Sequence, residues 1–152
     1  MDEKRETRRW EEGGLVFTVE GAEVSRCPKC GEEAVGVTNI EGMYQAVARY
    51  LITARERLSP SEIRFLRKYL GLSGSDFAAH VGVDRATVSR WESGAQAMGP
   101  QMDRLLRLLV AHAKPIDEYP IETLKDVATA EPVDRRLRVA ASTRGSWEAR
   151  PS

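Results

Sequence analysis

The central third of the chain has apolar residues at the spacing of amphipathic helices. From residue 59 onward they recur every three or four positions with arginine and lysine between them, which is the period of a helix with one buried face. Ser59, Pro60 and Glu62 provide an N-cap, a proline at the first helical position and a capping box. We therefore expect a helix from Ser59 to Leu70. Its inward positions are Ile63, Leu66 and Leu70.

Two shorter helices joined by a tight turn follow directly. Ser73 is a suitable N-cap for the first of them, and Gly82 can adopt the left-handed conformation that ends it. Asp84 caps the second helix, and Gly94 ends it. The inward positions of the pair are Phe77, Ala78, Val81, Val88 and Trp91. Two capped helices of this length are typical of a helix-turn-helix unit, whose second helix enters the major groove of DNA.

Another helix is expected after residues 99–100, a glycine and a proline, and Pro115 is expected to stop it. A short helix is predicted from Ile121 to Val127. Beyond Glu131 the chain is rich in arginine, alanine and serine and has no core-forming pattern. We therefore expect residues 114–152 to be a mostly flexible C-terminal extension. The inward positions predicted for the helix after residue 100 are Met102, Leu105, Leu106 and Leu109.

The beginning of the chain has a strand-like pattern instead. Residues 1–13 are charged and are expected to form a flexible, frayed terminus. Leu15 to Val19 is rich in β-forming residues, and Gly21 offers a turn. Glu23 to Arg26 is expected to return as the second strand of a hairpin. A third short strand is predicted from Ala34 to Thr38.

Asn39 can cap a helix that follows these strands. The strands and this helix would form a small module over residues 14–57, followed by an all-α domain of four to five helices over residues 58–113. The sequence therefore predicts the α+β class, with a β-hairpin, knuckle and helix before a helix-turn-helix domain. The inward positions of the Asn39 helix are Met43, Val47, Tyr50, Leu51 and Ala54.

Charge is distributed unevenly along the chain, although its net charge is zero. Residues 55–112 contain nine basic and six acidic residues, whereas residues 1–54 contain seven and ten. The basic excess falls on the helical domain, where a phosphate-binding surface needs it. No apolar run approaches the roughly 18–20 residues of a membrane span, and the N-terminus lacks the pattern of a signal peptide. We expect a cytoplasmic protein with no membrane partner.

The outward face of the second motif helix carries arginine, serine and threonine, with no acidic residue between Asp84 and Glu92. An ordinary solvated face mixes both signs of charge, so this face favours contact with DNA. We expect four of its residues to face base edges, namely Arg85, Ala86, Ser89 and Arg90. Backbone contacts are expected at the start of the first motif helix and at two edge positions, namely Ser73, Gly74, Ser75, Thr87 and Ser93.

Cys27 and Cys30 form a Cys-x-x-Cys-Gly motif, a spacing at which thiols often bind a metal ion. A closed structural zinc site needs four ligands, and the chain has no other cysteine. Three interpretations stay open: a metal-free knuckle held by backbone hydrogen bonds, a zinc site shared between two chains, and a redox pair. A tightly held ion within one chain would need further ligands, and the nearest candidates are Glu23, Glu32 and Glu33.

The helices from Ser59 to Ala113 resemble the Cro/repressor-type helix-turn-helix family. Within that group, the chain most resembles the MqsA (YgiT-type) antitoxin family. Three of its helical segments are similar to segments of that family, and they follow a Cys-x-x-Cys-Gly motif. These segments are Glu62-Ile63-Arg64-Phe65-Leu66-Arg67-Lys68, Ser89-Arg90-Trp91-Glu92 and Asp103-Arg104-Leu105-Leu106-Arg107. The resemblance implies an N-terminal metal-binding domain that faces a toxin, and a C-terminal dimeric domain that represses its own operon. The chain departs from that family in having one Cys-x-x-Cys pair instead of two.

The functional expectation is a sequence-specific DNA-binding regulator, acting as a homodimer on double-stranded operator DNA and as the antitoxin of a cognate toxin protein. Two alternatives remain: a thiol- or zinc-responsive transcription factor, and an adaptor that binds only protein. The sequence has no glycine-rich phosphate loop, no His-Glu-x-x-His motif and no nucleophile elbow. We therefore expect no enzymatic activity.

Overall fold

A computed structural model describes residues 2–113, 119–128, 132–142 and 145–151. The chain divides into two compact units. The first comprises Met1–Glu11, Val16–Val47 and Arg135–Ser152, and the second comprises Glu12–Leu15 and Ala48–Asp134. Strands and helices together place the protein in the α+β class, as the sequence predicted.

The first unit contains a five-stranded sheet. Its strands are β1 Asp2–Glu12, β2 Leu15–Arg26, β3 Glu33–Gly36, β4 Leu137–Ala141 and β5 Trp147–Pro151. The order across the sheet is β1-β2-β4-β5, and β3 also pairs with β2. β3 lies antiparallel to residues 23–26 of β2, whereas β4 lies parallel to residues 18–20. β5 is antiparallel to β4.

Strand β2 is continuous, so the hairpin expected around Gly21 is wrong. Its buried residues are Leu15, Phe17, Val19, Ala22 and Val24. Every second residue is buried on both sides of Gly21. The buried residues have odd numbers before Gly21 and even numbers after it. Gly21 has a φ of 89°, so one extra residue is inserted in the strand in the manner of a β-bulge. The glycine that suggested a turn instead keeps both halves of β2 facing the same core.

Two expectations of flexibility are contradicted where the structure describes strands. Residues 2–12 form β1, and exposed and half-buried residues alternate along residues 5–12. The half-buried positions include Glu6 and Arg8, which pair with each other at 2.7 Å, so charged residues occupy most of the half-buried positions in this pattern. In the C-terminal extension, β4 buries Leu137 and Val139 beside β2. Trp147 of β5 donates a hydrogen bond to the carbonyl oxygen of Thr38 at 2.9 Å.

The described helices are α1 Ile40–Thr53, α2 Pro60–Tyr69, α3 Gly74–Val81, α4 Arg85–Ser93, α5 Pro100–Ala113 and the 3₁₀ helix η1 Ile121–Asp126. In the second unit α4 packs against α2 and α3, and α2 also packs against α5. The capping box is present as predicted, because the Glu62 carboxylate accepts from the backbone N–H of Ser59 at 2.8 Å. Pro115 lies outside the described residues.

Helix α5 has a different buried face from the one predicted. Its buried residues are Asp103, Leu106, Arg107 and Val110, whereas Leu105 is 38% exposed. Hydropathy predicts that arginine and aspartate lie on the exposed face of a helix. Here Arg107 and Asp103 are buried because their charges neutralise each other, and Arg107 Nε donates to Asp103 Oδ1 at 2.7 Å. Arg57 Nε donates to the other carboxylate oxygen at 3.3 Å. Buried charges are stable only when paired in this way.

Candidate nucleic-acid interface

The local sequence positions α3 and α4 through their caps. Ser73 Oγ accepts a hydrogen bond from the backbone N–H of Asp76 at 3.0 Å, and Asp84 Oδ1 accepts from that of Thr87 at 2.7 Å. Between the helices, Gly82 adopts a φ of 76°, a left-handed conformation that costs glycine little. The turn and both helix starts therefore have the form predicted for a helix-turn-helix unit.

Electrostatics reinforce the cap of α4. Hydrogen bonds from the hydroxyl of Thr87, and then from its backbone N–H, hold the pKa of Asp84 below its ordinary value. The charge of Arg90 acts in the same direction, and desolvation of the carboxylate acts against it. A carboxylate at the N-terminus of a helix also interacts favourably with the helix dipole. The cap is thus strongest when Asp84 is ionised.

The inner face of α4 fixes the orientation of the helix. Val88 is fully buried, and Trp91 is 5% exposed. Arg67 Nε of α2 donates to the Glu92 carboxylate at 2.7 Å, and its Nη1 donates to the carbonyl oxygen of Leu72 at 2.8 Å. This ion pair is only slightly exposed to water, so solvent screens it less than a surface pair. The opposite face of α4 is consequently held outward.

That outward face presents the residues predicted to read bases. Arg85, Ala86, Ser89 and Arg90 are all exposed on one helix, and Thr87 beside them is half-buried. No acidic residue lies between Asp84 and Glu92 in α4. The structure thus brings the four predicted base-reading residues together, while their contact with DNA stays a prediction.

The residues predicted to contact phosphates lie at two separate places. Ser73, Gly74 and Ser75 are at the N-terminus of α3, with Ser75 exposed. The first backbone N–H groups of a helix have no partner within that helix and suit an anion. Ser93 lies at the other end of α4, where its hydroxyl donates to the carbonyl oxygen of Arg90 at 3.3 Å and accepts from the N–H of Ala95 at 3.4 Å. These local bonds make Ser93 a helix-ending residue in the described structure.

Gln96 is a residue of this surface that the sequence interpretation missed. Its Oε1 accepts a hydrogen bond from Arg90 Nε at 3.1 Å, and its backbone N–H donates to the carbonyl oxygen of Arg90 at 3.2 Å. Arg90 Nη2 also donates to Thr87 Oγ1 at 3.2 Å. A polar residue two positions after the helix-ending Gly94 was the only signal in the sequence, and it carries no specific pattern.

The two cysteines form a turn that belongs to the first unit. The backbone N–H of Gly31 donates to the carbonyl oxygen of Cys27 at 2.9 Å. The backbone N–H of Cys27 donates to the carbonyl oxygen of Glu32 at 2.9 Å. Both thiols are free; Cys27 is half-buried and Cys30 is exposed. Hydrogen bonds from the backbone N–H of Cys30, then of Lys29, and from the Cys30 thiol lower the pKa of Cys27.

This turn does not fit a closed zinc site within one chain. Among the residues that the structure describes, no group of three or more His, Cys, Asp or Glu side chains is arranged to hold a metal ion. Two of the acidic candidates are engaged elsewhere: Glu33 accepts from Arg26 at 2.6 Å, and Glu23 accepts from the Thr38 hydroxyl at 2.6 Å. Two thiolates alone leave a zinc ion with open positions.

Comparison with known proteins bears on the helical unit. Residues 63–119 match the family model described as helix-turn-helix, a segment that begins within α2 and includes α3, α4 and α5. The second unit contains a helix-turn-helix domain. This match supports a DNA-binding transcription regulator. No curated protein and no solved structure matches the chain significantly. Within the described ranges, no helix is both long and apolar enough to cross a membrane.

Proposed function

We propose that the protein is a sequence-specific repressor that binds operator DNA as a homodimer. In this proposal α4 enters the major groove, with Arg85 and Arg90 reading guanine, Ser89 hydrogen-bonding a base edge and Ala86 touching a thymine methyl group. The N-terminus of α3 holds a phosphate and sets the position of the helix on the duplex. The observation that carries the proposal is the acid-free, outward face of α4, opposite a buried Val88 and Trp91.

Dimerisation follows from the geometry of such recognition. One α4 helix can contact only a few base pairs, whereas two helices about one DNA turn apart read a palindromic site. Binding energy from two half-sites is needed for an affinity that represses a promoter in the presence of competing genomic DNA.

We further propose that the protein is an antitoxin that represses its own operon. The support is the resemblance of its helical segments to those of the MqsA family, together with a first unit that is separate from the helix-turn-helix domain. We assign toxin contact to that first unit. We expect no catalytic activity from either unit. Any zinc held by Cys27 and Cys30 would have to be shared between two chains.

The DNA-binding proposal is tested by fluorescence anisotropy with a duplex from the upstream region of the operon. Arg90→Ala should lower the preference for this duplex over random DNA by about 5–150-fold, the factor that corresponds to one bidentate arginine–guanine contact. Arg136→Ala is the matched control, because it removes one exposed arginine outside the helix-turn-helix domain. An unchanged preference in Arg90→Ala would contradict the assignment, and wild-type protein that binds no DNA even at low salt would favour an adaptor.

The antitoxin proposal needs a different experiment. The protein is co-expressed with the product of the adjacent reading frame, and cell growth and complex formation are measured. The proposal expects the neighbouring product to arrest growth alone, and a stable complex with this protein to restore it. A neighbour that neither arrests growth nor binds this protein would refute the antitoxin role and leave the DNA-binding role intact.

A further inference from the structure

The outward face of α4 contains a continuous chain of hydrogen bonds. The backbone N–H of Thr87 donates to Asp84 Oδ1 at 2.7 Å, and the Thr87 hydroxyl oxygen accepts from Arg90 Nη2 at 3.2 Å. Arg90 Nε then donates to Gln96 Oε1 at 3.1 Å. These hydrogen bonds therefore link the N-cap of α4, through Thr87 and Arg90, to the loop that follows Gly94.

The chemistry of these groups fixes the direction of each bond. A guanidinium has only donors, so its partners at Thr87 and Gln96 must be oxygen atoms. The hydroxyl oxygen of Thr87 has lone pairs, so it can accept from Arg90. Gln96 is anchored independently, since its backbone N–H donates to the carbonyl oxygen of Arg90 at 3.2 Å. The side-chain amide is thereby placed beside Nε.

These bonds leave a defined edge of the arginine for DNA. Neither contact uses Nη1, whereas Nε is occupied by Gln96. A bidentate contact with O6 and N7 of guanine requires two parallel N–H groups. The pair that remains for such a contact is formed by Nη1 and the second N–H of Nη2.

We propose that Gln96 is a positioning residue for sequence specificity: it orients the Arg90 guanidinium so that its Nη edge meets a guanine. This inference rests on the proposed DNA-binding function and extends it to a residue outside α4. An exposed arginine otherwise samples many side-chain conformations and loses that freedom on binding. Holding the guanidinium in advance reduces the entropic cost of recognition. Gln96 therefore contributes to discrimination between bases without touching one.

The test uses the full-length protein and a randomised duplex library. The best-bound duplex is selected first, and variants with each guanine replaced by adenine are then compared by anisotropy. Gln96→Ala should lower the guanine-over-adenine preference at the Arg90 position by about two- to tenfold, the effect of no longer pre-ordering one flexible side chain. Gln45→Ala is the matched control, an exposed glutamine of the first unit, and should leave this preference unchanged.

Two further variants separate positioning from direct contact. Gln96→Glu keeps an oxygen acceptor for Nε, so the guanine preference should be retained while the added negative charge weakens binding to every duplex alike. In an Arg90→Ala background, Gln96→Ala should have no further effect on the preference, because nothing is left to position.

The outcomes distinguish this inference from the function on which it rests. Wild-type protein with no sequence preference would overturn the proposed function itself. A preference that depends on Arg90 but is unchanged by Gln96→Ala would overturn the inference alone. An equal loss from Gln96→Ala with and without Arg90 would also overturn it, because that result describes a direct and independent contact by Gln96.

Discussion

Asp103 lies between two buried arginines, so replacing it by asparagine should destabilise the helical unit severely. One carboxylate oxygen accepts from Arg107 Nε at 2.7 Å. The other accepts from Arg57 Nε at 3.3 Å and from the backbone N–H of Leu58 at 2.9 Å. The side chains of Asp103, Arg107 and Arg57 are 2%, 0% and 8% exposed. Water cannot take over these contacts.

Asparagine keeps the shape of the side chain but removes the charge and one acceptor. Its NH₂ group would face donors whichever way the amide is turned, because donors approach both oxygens of Asp103. Breaking a buried ion pair in this way costs about 3–5 kcal/mol, since an uncompensated charge remains inside. Domains of this kind have a free energy of unfolding of only about 5–15 kcal/mol. Asp103→Asn should therefore remove a large fraction of the free energy of unfolding.

Urea denaturation followed by far-ultraviolet circular dichroism measures this loss. With a slope of about 1–3 kcal/mol per molar urea, the midpoint should fall by at least about 1 M. The control is Glu122→Gln in η1, an exposed carboxylate whose loss should change the stability by less than about 0.5 kcal/mol. If both variants unfold at the same midpoint, the reasoning is refuted, because Asp103 would then be solvated.

Three other predictions concern the caps, the phosphate site and the cysteines. Ser75→Glu should weaken binding to all duplexes by a similar factor, since it opposes a phosphate and reads no base; a changed sequence preference in anisotropy would place Ser75 at a base edge. The lowered pKa of Asp84 means that its stabilisation is present above the unfolded pKa of about 3.9 and is lost as the pH falls through the lower folded value. In an NMR titration the Asp84 carboxylate should ionise at lower pH than in the urea-unfolded protein, and an equal pKa in both states would argue against the Thr87 bonds. Cys27→Ser should leave operator affinity unchanged, and the purified wild-type protein should contain less than one zinc per chain by elemental analysis; one tightly held ion per chain would require ligands not identified above.

The sequence alone was enough to predict the helix-turn-helix unit because its determinants are local. An N-cap such as Ser73 or Asp84 bonds a backbone N–H three residues away, within the same helical turn. Gly82 ends a helix through its own φ angle. The outward placement of Arg90 follows from the helical period once the inward Trp91 is recognised. None of these features depends on a distant partner, so each could be predicted before the fold was known.

Only the tertiary structure decided the features that depend on partners far along the chain. β4 becomes a strand because it pairs with β2, which lies more than a hundred residues earlier, and its short apolar alternation carries little signal by itself. Arg107 is buried because Asp103 and the carbonyl oxygens of Ala54 and Glu56 accept its N–H groups. Hydropathy assigns arginine to the surface, since burial is favourable only when every donor finds an acceptor, and that condition is met only when the chain is folded.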